Sequence, residues 1–307
     1  MRAADPIGHT DADCFYVSAE RVRDELLVGK PVAVLGNQGA CVIAKSYEMK
    51  AAGVKTGEPI WDAVKKCPDG VYLKRDFRWY EVLSRRMLEV VRDFSPEVEF
   101  YSVDEFFFRA VPHRGLTLQA TAVAMRDRIL REVGVPVTVG IGRSRTLAKL
   151  ISDTAKPFGA LALLDREAER SLLERTPVTE VSGIASRRAA TLEPYGIRTC
   201  LDLAMADRRL IRSLITIAGE ALHLELNGEQ VTPIRTERPP HKMISRGGSL
   251  GGATSSVARV YAWLVRNLER LIEELQHHGV WAGALSVHLM YADGSAAAHN
   301  EELTAPT

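Results

Sequence analysis

Four acidic residues stand out by the company they keep. Asp11 and Asp13 directly follow an apolar stretch in IGHTDAD, and Asp104-Glu105 interrupt the run VEFYSVDEFFF. Charged groups are rarely placed among apolar and aromatic neighbours unless a cation compensates them. A hard divalent ion such as magnesium does this with carboxylate oxygens while keeping positions open for phosphate. Two such ions can lower the pKa of an attacking hydroxyl and stabilise a leaving pyrophosphate. Either pair alone is more often a solvated turn or a helix cap. HTDADCFY together with YSVDEFF well downstream, on a second strand pattern, points instead to a shared metal site built from Asp11, Asp104 and Glu105. Asp13 either caps the helix at Phe15 or supports the site from behind, and ranks below Asp11.

The elements that must deliver these acids follow from periodicity. Residues 7–13 read as a short strand and 15–27 as a helix, stopped by Gly29-Lys30-Pro31. Residues 32–36 and 41–44 read as strands across an Asn37-Gln38-Gly39 turn; a helix runs from near Ser46 to Gly53, and Glu58-Pro59 opens another. Tyr80, Leu83, Met87, Val90 and Phe94 share one helix face, and Leu118, Ala122, Met125, Ile129 and Val133 share a second. Between these helices, 98–103 and 106–108 form a hairpin with Asp104-Glu105 in its turn region, and 137–142 is a buried strand. This order predicts an α+β sheet with helices packed on one face. Gly140 and Gly142 precede a helix near Ser144, but neither GKS/T nor GxGxxG is present, so the segment reads as a strand-to-helix turn rather than a phosphate loop. Short helices follow Asp165. Residues 232–242, with three prolines and four basic residues counting His241, mark a linker. A strand over 243–250, a helix through Val257, Tyr261, Leu264, Leu268, Leu271 and Leu275, and a strand over 284–291 make a last small module.

With 307 residues, 46% hydrophobic and 26% charged, the expectation is about two domains. A formal charge of +1 gives no bulk attraction for polyanions, so any nucleic-acid site must come from local clustering of Lys and Arg. Four scattered cysteines without a CxxC pair argue against structural zinc and a disulfide framework, and fit a reducing cytosol. Residues 1–13 lack the apolar stretch of a signal peptide, and no run approaches the ~20 apolar residues that span a bilayer. The expectation is a soluble, cytoplasmic protein with no membrane partner.

HTDADCFYVSAE, CVIAKSYEMKAAGVKTGEP, YSVDEFF, VTVGIGRSRTLAKLISDTAKPFG and the segment around VSGIA resemble, in order and spacing, the Y-family translesion DNA polymerases over nearly the whole chain. The first motif is similar to DNA polymerase IV, and the segment 41–59 to the catalytic subunit of DNA polymerase V. The resemblance implies a right-hand α+β architecture: palm at 1–14 and 77–163, fingers at 15–76, thumb at 164–231, linker at 232–242 and little finger at 243–307. It implies two Mg2+ ions held by Asp11, Asp104, Glu105 and the backbone carbonyl of Ala12. It makes Tyr16 a steric gate against a ribose 2′-OH, leaves Phe15 to packing, and sets the backbone of Cys14 and Phe15 beside the nucleotide. Tyr47, Lys50 and Lys156 match the triphosphate contacts, where cationic and hydroxyl donors suit developing charge. Lys50 stands where many relatives carry Arg, so a forked contact becomes a point charge, and Ala44 replaces a hydroxyl residue of several relatives. Both departures imply a weaker triphosphate clamp. Lys45 and Lys55 read as ordinary solvated lysines.

The segment 181–197 resembles a helix-hairpin-helix that grips a duplex backbone through Gly183, with Arg187 and Arg188 nearby and Ala185 in place of the usual second glycine. A plain helical hairpin is the alternative. Lys242 and Arg246 head a basic group with Arg235, Arg238, Arg259, Arg266 and Arg270, suited to sequence-independent phosphate contact. For Arg266 and Arg270 a solvated face paired with glutamates is the alternative. The family's little finger has two strand-helix-strand halves, so the expectation is a partial one here, ending at Thr307 without the tail through which a sliding clamp would be reached. The implied activity is addition of dNTPs to a primer 3′-OH on primer-template DNA, with low fidelity, across lesions, and without an exonuclease segment. Two rivals are a non-catalytic scaffold of a damage response and another palm-type nucleotidyl transferase such as a nucleotide cyclase. The retained acids, gate and lysines oppose the first, and the thumb and little-finger motifs oppose the second.

Overall fold

The computed structural model describes residues 5–36, 40–237, 241–250 and 252–304. The chain divides into two compact units, Met1–Arg238 and Pro239–Thr307. In the first unit, β1 (Ile7–Ala12) runs into a left-handed residue, Cys14 (φ 48), and α1 (Phe15–Arg23) starts at once. A small sheet follows, built from β2 (Val32–Leu35) and β3 (Val42–Lys45), then, past α2 (Tyr47–Ala51) and α3 (Ile60–Lys66), β4 (Val71–Lys74). β2 pairs antiparallel with β3 and parallel with β4. Ser46 caps α2 by accepting the Met49 amide, as its position in the sequence suggests. Ala33, Leu35 and Val42 close a local core with Met49, Val54 and Ala63, while Val32 and Val34 join the main core. The turn expected at 37–39 lies outside the described residues.

The chain then builds α4 (Phe77–Phe94), β5 (Val98–Phe100), β6 (Glu105–Arg109), α5 (Leu118–Val133), β7 (Val137–Gly142), α6 (Arg145–Ala155) and β8 (Ala160–Ala162). Strands order as β5-β6-β1-β7-β8, with β1 central and antiparallel to both neighbours. Strand alternation sorts the side chains. Ala12, Phe106, Phe108, Val137, Val139 and Ile141 pack on Leu83 and Met87 of α4 and on Met125 and Ile129 of α5. His9, Asp11, Glu105 and Phe107 point to the other face.

That second face is covered by α6, which corrects the expectation of helices on one side only. The reason is in β7: a Cβ on Gly140 would overlap the Ala148 carbonyl and the Ser152 amide of α6, and one on Gly142 would press on the Ala148 amide. Side chains there would hold the helix off the sheet. The opposite flank of α6 supplies Leu147, Leu150 and Ile151 to a further core. The helices that complete it are α7 (Arg166–Arg175), α8 (Ser186–Leu192), α9 (Cys200–Met205) and α10 (Arg208–Leu226). As expected, the start of α6 is no phosphate loop: Ser144 caps it, and the Glu225 carboxylate already accepts the Thr146 amide at 2.8 Å. The segment expected as a linker is partly docked. Thr232 and Arg235 donate backbone amides to Glu225 and Glu99, and Ile234 packs beside Ile7 and Phe107.

The second unit contains α11 (Val257–His278) and an antiparallel pair, β9 (Ala284–Met290) and β10 (Ala296–Glu302). The helix matches the predicted periodicity, but none of the unit's described residues is buried. The expected strand at 243–250 is not formed; Gly247-Gly248 in its middle weakens strand pairing, and no ladder partner meets it among the described residues. β10 was not anticipated, because AAAHNEE lacks the branched and aromatic residues that mark strands. Gly140→Ala should cost about 1–3 kcal/mol by forcing α6 off the sheet. Urea denaturation should show a lower midpoint at unchanged slope, and a wild-type midpoint would contradict the close-packing account.

Candidate active site

The ladder between β1 and β6 sets Asp11 directly opposite Glu105. Asp104 precedes β6, and its carbonyl accepts the Ala12 amide at 3.0 Å, which ties the turn to the end of β1. The Ser102 hydroxyl lies 2.6 Å from Asp104 Oδ1 and 3.3 Å from Glu105 Oε2. The three acids expected from sequence are thus brought to one end of the sheet, with Glu105 in the strand rather than in the turn. One carboxylate oxygen each from Asp11 and Glu105, together with a ring nitrogen of His9, lie within 4.8 Å of one another, a spacing that can surround a metal ion.

Two ammonium groups from the α6 side balance these charges. Lys156 Nζ lies 2.6 Å from Asp11 Oδ2, and Lys149 pairs with Glu105 Oε1 and stands 3.9 Å from Asp11. Asp153 sits between the lysines, 3.7 Å from one and 3.5 Å from the other. The carboxyls respond differently. Burial pushes Asp11 up to about 7 despite the nearby Lys156, and burial also raises Asp104. Burial works in the same direction on Glu105, yet His9 and Lys149 facing it hold it down at about 2. His9 itself, enclosed between sheet and helix, is lowered to about 4 by burial.

Asp13 does not cap α1, whose cap residue is Cys14. Its buried carboxylate accepts the Thr138 hydroxyl at 3.1 Å and the Phe158 amide at 2.7 Å. It therefore pins the end of β1 to β7 and to the turn that carries Lys156.

A cleft of about 540 Å³ opens above the acids. Asp11, Ala12, Asp104, Glu105 and Lys156 line one side, and Ile43, Ala44, Lys45, Tyr47, Lys50 and Thr56 line the other. Cys14, Phe15 and Tyr16 contribute from the first turn of α1, whose amides lack helical partners. Phe15 is buried in the core, as its packing role requires. Tyr16 stacks on Tyr80 at 4.6 Å between ring centres and lines the cleft. Tyr80 in turn donates its hydroxyl to Glu20 at 2.6 Å.

Sequence reasoning missed Lys149, Asp153, Ser152, Ser102 and His9, and it treated Lys45 as solvated although that lysine lines the cleft and donates to Thr56 at 2.7 Å. A signal existed for the α6 group: Lys149, Asp153 and Lys156 recur at i, i+4 and i+7, one face of a helix. Away from the cleft, Gly183 has φ +95, and its carbonyl accepts Arg188 Nη1 at 2.7 Å, while Arg187 is exposed. In the second unit Lys242 is exposed, Arg246 is paired with Glu274, and Arg266 lies 3.8 Å over the Trp263 ring.

Residues 10–153 match the impB/mucB/samB family, and residues 241–307 match the impB/mucB/samB family C-terminal domain. DNA polymerase IV 1 of Bacillus subtilis (strain 168) is 33% identical over 293 residues, an overlap of 94% of this chain and 70% of that protein. The chain belongs to the Y family of DNA polymerases. Protein MucB of Escherichia coli is a further relative, 30% identical over 289 residues, covering 91% of this chain and 68% of MucB. Among solved structures, the Y-family DNA polymerase chimera Dbh-Dpo4(243-245)-Dbh superposes with a TM-score of 0.82 at 22% identity, covering 98% of this chain and 88% of that one. The insertion ternary complex of Dbh DNA polymerase gives 0.69 at 22% identity, covering 97% and 88%. The α+β Y-family polymerase fold is common to all of them. Among the described residues, no helix is long and apolar enough to cross a membrane.

Asp13→Ala leaves the Thr138 hydroxyl and the Phe158 amide without their buried acceptor, which should cost about 2 kcal/mol or more. Chemical denaturation measures this; a variant as stable as wild type would show that Asp13 does not brace the Lys156 turn.

Proposed function

We propose that this Y-family polymerase adds dNTPs to a primer 3′-OH, directed by a template, through two-metal phosphoryl transfer in the cleft described above. The observation that carries the reading is that single cleft, acidic on the sheet side and lined by Tyr47, Lys45 and Lys50 on the other. A nucleoside triphosphate with divalent cations needs both surfaces at once.

The donor set fits magnesium. Asp11, Asp104, Glu105 and the Ala12 carbonyl offer hard oxygens, and two ammonium groups now compensate acids that a divalent ion would compensate. When bound, two Mg2+ ions would supply activation of the hydroxyl and neutralisation of the leaving pyrophosphate. The remaining work belongs to this chain's side chains. Tyr47, Lys50 and Lys156 bind and orient the triphosphate by charge-assisted hydrogen bonds. Lys50 does so as a point charge, without the fork of an arginine. Tyr16, held rigid on Tyr80, lies under the sugar and excludes a 2′-OH, with the Cys14 and Phe15 backbone beside it.

Small residues in the cleft, Ala12, Cys14 and Ala44, enclose the nascent base pair loosely, which favours damaged templates and low fidelity. In this reading 1–14 and 77–163 are palm, 15–76 fingers, 164–231 thumb and 243–307 little finger. Primer-template DNA is gripped at the thumb by the open backbone of Gly183 with Arg187. Arg188 stiffens that loop, and Lys242 and Arg246 add phosphate contacts that a salt titration would expose.

Asp104→Ala removes a ligand itself, so primer extension should fall by more than the roughly 100-fold that marks the upper range for outer-shell partners, with an unchanged melting temperature. Equal extension by wild type and variant would remove Asp104 from the chemistry. Tyr16→Ala should narrow the preference for dNTP over rNTP by about 10- to 200-fold. An unchanged ratio of incorporation rates would deny Tyr16 its gating role.

A further inference from the structure

His9 is fully buried between β1 and α6, its ring 4.5 Å from that of Phe107. Nδ1 lies 2.7 Å from Ser152 Oγ, whereas Nε2 points at Glu105 Oε1 from 3.5 Å and has no closer partner. A hydrogen bond at 3.5 Å is weak, so the orientation of the ring hydrogen decides whether this contact attracts or repels.

The Glu105 contact settles that orientation, and the Ser152 rotor follows it. Its hydroxyl oxygen is 2.7 Å from His9 Nδ1 and 2.8 Å from the Lys149 carbonyl, and it carries one hydrogen. If it donates to the carbonyl, Nδ1 must hold the ring hydrogen. Nε2 would then turn a bare lone pair toward a carboxylate with no water between them, an arrangement that buried polar groups avoid. If it donates to Nδ1, Nε2 carries the hydrogen and faces an acceptor. The Lys149 carbonyl loses little in that case, because it lies inside α6 and serves the helix ladder. A doubly protonated ring would also place a hydrogen on Nε2, so the conclusion does not depend on ring charge.

We infer that His9 is a positioning residue for Glu105: the facing carboxylate selects the tautomer with its hydrogen on Nε2, Ser152 completes it by donating to Nδ1, and the Nε2–H steers one carboxylate oxygen. Oε1 is drawn to the His9 and Lys149 side, which leaves Oε2, 3.3 Å from the Ser102 hydroxyl, for the metal side of the cleft. Outer hydrogen bonds of this kind orient ligating carboxylates and typically change affinity or activity by about 10- to 100-fold. The inference deepens the two-metal reading, because it takes Glu105 as a metal ligand.

The test begins without metal or DNA. Nitrogen-15 histidine NMR of the wild-type chain should show His9 with its hydrogen on Nε2; a neutral ring protonated on Nδ1 would overturn the inference. His9→Phe keeps the ring volume against Phe107 and removes the donor. Its kcat for primer extension should fall by about 10- to 100-fold with KM for dNTP unchanged, and His9→Gln, which restores an N–H, should recover part of the loss. Wild-type kcat in His9→Phe, or no recovery in His9→Gln, would count against it. If the wild type extends no primer, the polymerase reading falls, while the tautomer still decides whether His9 donates to Glu105.

Discussion

Like charges converge at one end of the central sheet, and their mutual repulsion in a partly dry cleft must be offset before any chemistry can occur there. Two ammonium groups do this in the structure, Lys156 just past the end of α6 against Asp11 and Lys149 from the middle of α6 against Glu105. Burial raises Asp11 to about 7 even with Lys156 beside it, whereas Glu105, also raised by burial, is held at about 2 by His9 and Lys149. The difference between them reflects partners: Glu105 faces both His9 and Lys149.

Much of the architecture serves to bring α6 to that position. Two glycines in β7 remove the side chains that would hold it away, and Glu225 fastens its first turn. Asp13 fixes the turn after its last residue. Because the same helix contributes Leu147, Leu150 and Ile151 to the helical core beyond, displacement of α7–α10 would be felt at the carboxylates through a rigid element.

The part of this arrangement legible in sequence was the part carried by local pattern. Asp11, Asp104 and Glu105 were visible because each interrupts an apolar run, and the long core helices were visible through their 3.6-residue period. Lys156 became visible only through resemblance to a family, since a lysine after a helix is otherwise unremarked. His9 was hidden because a histidine in an alternating strand reads as core, and its significance depends on Ser152, 143 residues away. Of the two roles open to Asp13, the cap and the support from behind, sequence could not choose, because Thr138 and Phe158 become its partners only after folding. The sided packing of α6 could have been anticipated from Gly140 and Gly142, had they been read as a close approach of helix to strand rather than as a turn. In the second unit, β10 follows from pairing with β9 and not from its own composition.

The most direct test of the charge-balance account is a crystal structure with primer-template DNA, a non-hydrolysable dNTP and Mg2+. The account predicts that Asp11 and Glu105 take up the cations, that the Lys156 ammonium leaves Asp11 for the triphosphate, and that Lys149 and His9 remain on Glu105. A structure in which Lys156 stays on Asp11 and the carboxylates bind no ion would contradict it.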